Sequence, residues 1–131
     1  MKYLLDTSVL LKARADEDAL NEKGKRILSD PEADLYLSTV CTWEISIKFA
    51  SRSLKLPFRP AEFIRDSFAR WQFHRMDITH EHALAAGELP LHHRDPFDRM
   101  LVAQARLEDM TLLTTDPAIG KYDVESLYCG R

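Results

Sequence analysis

Long apolar runs are missing from this sequence, and so are most of the residues that staple or unhinge a small protein. The two cysteines, Cys41 and Cys129, form no CxxC pair. Neither a disulfide framework nor a thiolate metal site is therefore encoded, and the thiols fit a reducing, cytoplasmic setting. Four glycines and six prolines leave no material for collagen-like or linker segments. Apolar stretches are as short as Val9-Leu10-Leu11, far below the ~20 residues a membrane span needs. The start, MKYLLD, meets the charge of Asp6 before any signal-peptide core could form. GxxxxGKS, GxGxxG and GxSxG are all lacking, which removes a glycine-rich phosphate cradle and a serine nucleophile elbow. A dominant charge is lacking too: 18 basic and 21 acidic side chains leave −3, and a pI near 5.9 argues against a strong nonspecific nucleic-acid binder.

What remains is the composition of one soluble domain, residues 1–131, with 45% hydrophobic and 30% charged residues to build a core and keep it dissolved. The charge is unevenly spread. Residues 46–75 hold 7 basic side chains (Lys48, Arg52, Lys55, Arg59, Arg65, Arg70, Arg75) against 2 acidic ones. Arginine suits bidentate contact with phosphate, while a solvated helix face is the plainer reading of the same segment.

Strand and helix signals alternate. Lys2–Leu5 reads as a buried strand, with Thr7 or Ser8 capping a helix from Val9 to about Ala15. Residues 19–29 read as one helix, stopped by Asp30-Pro31, and Leu35–Ser38 as a strand. Thr39 then caps a helix whose apolar stripe runs through Val40, Trp43, Ile47 and Ala50. Further helices are expected near 61–71, from Thr79 to about Ala86, and from Asp95-Pro96 to about Glu108, with strands at Phe73–Met76, Thr111–Thr114 and 124–128. Such alternation predicts an α/β fold with a parallel sheet covered on both faces, and in such sheets functional groups gather beyond the carboxyl ends of the strands.

Four acids fall where that rule points. Asp6 and Asp116 follow strands, while Glu44 and Asp98 lie within the first turns of helices that follow strand ends. Each has a structural reading when taken singly: a cap for Asp6, an i,i+4 pair with Lys48 for Glu44, a helix-dipole partner for Asp98, and turn chemistry for Asp116. Taken together they converge on one cleft. Two carboxylates ~5 Å apart repel by about 3 kcal/mol at an effective dielectric near 20, so such a cluster calls for a cation. All-oxygen ligands point to Mg²⁺ or Mn²⁺ rather than Zn²⁺, and the chemistry that suits them is phosphodiester hydrolysis by activated water. The histidines of His80-Glu81-His82 and His92-His93 lack HExxH spacing and do not argue for zinc. Trp43, Trp71 and Phe73 read as core more than as base-stacking platforms.

The strings YLLDTSVLL, STVCTWEISIK, HHRDPFDRMLVAQA and LLTTD, in this order, resemble the PIN-domain ribonucleases, above all the VapC-type toxins of bacterial type II toxin–antitoxin systems. That resemblance runs from Lys2 to about Asp116. It implies a three-layer α/β/α sandwich, Mg²⁺- or Mn²⁺-dependent endoribonuclease activity, a homodimer and an inhibitory antitoxin partner. Asp6, Glu44, Asp98 and Asp116 match the family's acidic quartet, and Asp95 is left as a helix cap. Thr7 and Ser8 match the polar positions after the first acid, although many relatives carry Asn where Ser8 stands. Thr115 matches a polar residue that orients the last acid. With RNA as substrate, Lys48, Arg52, His93, Arg94 and Arg99 become candidates for contact with its backbone. Three other roles compete. An RNA-maturation nuclease without antitoxin keeps the chemistry, and a catalytically silent binding module keeps the fold. A receiver-type phosphoacceptor needs an acidic partner beside Asp6 and a Lys after the late strand, and neither is present.

Overall fold

The computed structural model of the chain describes residues 1–92 and 95–131. Its first strand, β1 (Lys2–Leu5), ends in two leucines, Leu4 and Leu5, both shut off from solvent. Successive strand residues point to opposite faces, so adjacent buried leucines mean that both faces of the sheet are covered. Leu112 and Leu113 of β4 (Thr111–Thr114) repeat the pattern. With β2 (Asp34–Ser38), β3 (His74–Met76) and β5 (Ser126–Tyr128) they form a five-stranded, all-parallel sheet in the order β3-β2-β1-β4-β5. The covering helices are α1 (Thr7–Ala15), α2 (Glu22–Ser29), α3 (Thr39–Ala50), α4 (Pro60–Trp71), α5 (His80–Glu88) and α6 (Pro96–Leu107). The expected α/β/α sandwich is present.

Strand order decides where the site lies. The chain builds outward from β1 through β2 to β3, then returns to lay β4 on the other side of β1. That reversal opens a crevice beyond the carboxyl ends of β1 and β4. Leu5 pairs with Leu113, and the Asp6 N–H continues the ladder by donating to the Leu113 carbonyl at 2.9 Å. The two strands therefore release their next residues, Asp6-Thr7-Ser8 and Thr115-Asp116, at the same level.

Four details differ from the sequence-based expectation. Helices α1 and α3 start earlier than expected, with Asp6 and Ser38 as caps, because the last extended residue of each strand turns directly into the helix. The expected 19–29 helix is broken at Leu20, which is extended, fully buried and bridged to Gly130 in the chain's carboxyl-terminal tail. A short 3₁₀ turn (Glu17–Ala19) precedes the break, and Asn21 caps α2 after it. Gly24 lets α2 approach that tail, since a Cβ there would stand 2.9 Å from the Cys129 Cβ. On α3 the buried stripe is Val40, Cys41, Glu44 and Ile45, rather than Val40, Trp43, Ile47 and Ala50. Trp43, expected in the core, is 55% exposed and meets Phe97 edge-on at 5.1 Å. The helix is rotated because Glu44, which a hydropathy stripe omits, is buried with its own partners.

Candidate active site at the carboxyl edge of the sheet

Asp6 is the first residue after β1, and only 2% of it is exposed. Its Oδ1 accepts from the Val9 N–H at 3.0 Å and from Ser8 Oγ at 2.5 Å, and its Oδ2 accepts from Thr114 Oγ1. Burial pushes its carboxyl above the ordinary value, and the nearby Glu44 charge pushes the same way. The hydrogen bonds from Ser8, Thr114 and Val9 oppose that shift without cancelling it. The helix cap and the candidate ligand are thus one residue.

Thr7 carries the next link. Its hydroxyl donates to Glu44 Oε1 at 2.6 Å, tying the start of α1 to the second turn of α3. Glu44 is also closed to solvent, and its Oε2 meets the Lys48 ammonium one turn further along α3. The Glu44 carboxylate beside it holds that ammonium above its usual pKa. Asp98 is the third residue of α6. Its charge acts with those of Asp6 and Glu44 on the Cys41 thiol, and with that of Asp95 on Lys48. Burial pushes the Cys41 thiol up to about 12, so it stays protonated and takes no part as a nucleophile.

Asp116 caps a 3₁₀ turn (Pro117–Lys121), its Oδ1 accepting from the Ala118 N–H at 2.9 Å. Its own N–H donates to Thr114 Oγ1 at 2.9 Å. Thr114 therefore bridges the backbone of Asp116 to the carboxylate of Asp6. Thr115, expected to orient Asp116, donates instead to Ser8 Oγ at 2.7 Å and so supports Asp6 through Ser8. Thr114 escaped the sequence reading, although a signal for it exists. Strand alternation places residues i and i+2 on one side, so Thr114 and Asp116 were the pair to consider.

Asp6 and Glu44 are brought together, with Asp98 within electrostatic reach of both their surroundings and Asp116 joined through Thr114. Among the described residues, no three His, Cys, Asp or Glu side chains close on a single point. The donor set nonetheless suits a hard cation. All four acids offer oxygen, and a buried carboxylate destabilised by a second one gains from any positive charge placed between them.

The other candidates separate into different settings. Lys48 reaches the acids, whereas Arg52 sits exposed in the turn after α3 with φ of 64°. Arg99 donates to the carbonyls of Ala86, Leu89 and Pro90 at 2.9–3.0 Å, closing the end of α5, so its guanidinium is engaged with the fold. Arg70 pairs with Glu17 past the far end of α1, at 2.7 Å, and Arg75 with Asp77 at 3.2 Å. Two arginines of the basic segment, Arg70 and Arg75, are thus paired with acids of the fold. His93 and Arg94 lie outside the described residues.

The PIN domain family model matches residues 3–125, and the chain belongs to that family. No curated protein sequence matches it. Among solved structures it is similar to VapBC2 from Rickettsia felis, bound to a promoter DNA fragment, with TM-score 0.74, 15% identity and coverage of 98% of this chain and 99% of that one. It is also similar to VapBC-1 from nontypeable Haemophilus influenzae (TM-score 0.63, 19% identity, 98% of each chain covered). VapBC-5 from Mycobacterium tuberculosis is a third such structure (TM-score 0.61, 15% identity, 99% and 98% covered). No helix among the described residues is long and apolar enough to cross a membrane.

Proposed function

We propose that this protein is a Mg²⁺- or Mn²⁺-dependent endoribonuclease and the toxin of a type II toxin–antitoxin pair. PIN domains are in general nucleases, and the observation that carries the reading here is the Asp6–Glu44 pair. Two carboxylates are buried at the switch point of a parallel sheet, Glu44 held by the hydroxyl of Thr7, the residue after Asp6, and near enough for its charge to act on Asp6, whose carboxyl burial holds above its ordinary pKa. Such a pair calls for compensating positive charge, which Lys48 gives to Glu44 and a cation held between the acids would give to both.

Asp6 and Asp98 carry most of the metal ligation in this reading, while Glu44 and Asp116 complete it or hold water. A bound divalent ion acidifies water and offsets charge on the phosphate. Ser8 and Thr114 fix the two oxygens of Asp6, and Thr7 fixes Glu44, so the acids meet the substrate without reorganising. Water attacks phosphorus and the P–O3′ bond breaks, leaving 5′-phosphate and 3′-hydroxyl ends. The partners are RNA, a second copy of this chain and an antitoxin that places a basic side chain in the acidic cleft. The VapBC complexes that this fold resembles support the toxin role over that of a maturation nuclease.

Purified protein with Mg²⁺ or Mn²⁺ cleaves structured RNA in this reading, and Asp6→Asn removes the cleavage. Induced expression arrests growth, and co-expression of the neighbouring upstream gene relieves it. Full cleavage by Asp6→Asn, or cleavage unaffected by a chelator, ends the proposal.

A further inference from the structure

Resting on the nuclease reading above, we infer that Lys48 is the resident counter-ion of the acid site, an ammonium that holds Glu44 until a divalent cation replaces it. Glu44 has one oxygen committed to Thr7 and the other to Lys48, and it is 5% exposed. A carboxylate so far removed from water persists as an anion only when paired. The pair is asymmetric in a way that makes exchange easy. Thr7 anchors the Glu44 side, whereas the Lys48 side chain is 43% exposed and reaches in from the mouth. Rotation of its four-carbon stem carries the ammonium into water without moving a core residue. The charges of Asp95 and Asp98 act on the same ammonium, so it occupies the region to which the acids draw any cation.

Two consequences follow from the exchange. Without metal, Lys48 relieves the repulsion that Glu44 exerts on Asp6. With metal, the ion competes against Lys48, and its apparent affinity falls by the fraction of molecules in which Glu44 is released. For a pair with one partner half exposed, that competition is about fivefold.

The test is calorimetric titration of the full chain with Mn²⁺, for wild type, Lys48→Met, Lys48→Arg and Asp6→Asn. A second arm measures acylation of Lys48 in the wild type by an amine-directed reagent, read by mass spectrometry with and without Mg²⁺. Lys48→Met is expected to bind Mn²⁺ about fivefold more tightly than wild type, and Lys48→Arg to stay near the wild-type affinity. Mg²⁺ is expected to speed acylation of Lys48 relative to Lys2. Equal or weaker Mn²⁺ binding by Lys48→Met overturns the inference, as does acylation of Lys48 that ignores Mg²⁺. If the wild type shows no uptake that Asp6→Asn abolishes, the nuclease reading falls and takes this inference with it. Intact Asp6-dependent uptake that Lys48→Met leaves unchanged sinks the inference alone.

Discussion

Two of the groups of polar side chains buried among the described residues are buried on different terms. Between α5 and α6, His82 is 1% exposed, yet its Nδ1 accepts from the Thr79 N–H at 3.0 Å, its own N–H donates to Thr79 Oγ1 at 3.1 Å, and its Nε2 reaches Glu108 Oε2 at 3.0 Å. Donors there meet acceptors, and one imidazole caps α5 while tying it to the end of α6. At the carboxyl edge of the sheet, Asp6 and Glu44 bring acceptors of the same charge together and draw hydroxyls and an ammonium around them. Complementary burial stabilises a fold, whereas like-charged burial stores a demand for a cation. The difference marks the second cluster as the candidate functional one without reference to any relative.

The largest expected contrast comes from removing the charge on Asp6. Asp6→Asn lowers metal-dependent RNA cleavage by about 10²–10³-fold, measured as initial rate at saturating Mg²⁺. The same variant, free of metal, melts a few degrees higher than wild type at pH 7, because Asn still caps α1 and spares the fold the cost of burying an ionisable acid. The sign follows from linkage. The folded pKa of Asp6 lies above the model-compound value of 3.8, so the fold prefers the protonated acid. Wild-type stability relative to Asp6→Asn is highest below pH 3.8, declines as pH rises through the elevated folded pKa, and is flat above it. A wild type that gains on the variant with rising pH would break the comparison.

His82→Ala does the opposite. Leaving the Thr79 N–H without its acceptor and opening a cavity lowers stability by about 2–4 kcal/mol in denaturant titration. The folded fraction keeps its cleavage rate. Thr7→Val is subtler, since it preserves shape and removes the hydroxyl that aims Glu44. Cleavage drops about 10-fold while the melting temperature shifts little, and loss of both together would show that Thr7 serves the fold. The smallest effect sharpens the other side. Gln104 is fully buried, and its Oε1 has no hydrogen-bond partner among the described residues. Gln104→Met removes that orphan at similar volume together with the 3.3 Å contact of Gln104 Nε2 to His82 Nδ1, so the two effects offset and stability changes by less than about 0.5 kcal/mol in denaturant titration.

The site was more legible along the chain than the faces of its helices were. Thr111–Thr114 matches β4 residue for residue, and Lys2–Leu5 matches β1, because continuous apolar runs between polar ends admit little else. The acids after these strands could be picked out for the same reason. On α3 the hydropathy stripe failed, since it treats every Glu as a surface residue, while Thr7 and Lys48 make Glu44 a buried one. The break at Leu20 was hidden as well, because its partner Gly130 stands 110 positions away. Thr114 and Thr115 look alike on paper, and their opposite directions from the strand give one to Asp6 and the other to Ser8.

Composition, periodicity and the placement of four acids were enough to define a parallel α/β sheet and the edge at which its chemistry gathers. Those features are local, set by side-chain alternation and by where strands stop. Which acids touch, which hydroxyl aims each of them and which lysine faces them depended on strands β1 and β4 lying side by side. Hydrogen bonds and charges act over a few ångströms, and only the packed chain brings residues 6, 44 and 114 within that distance.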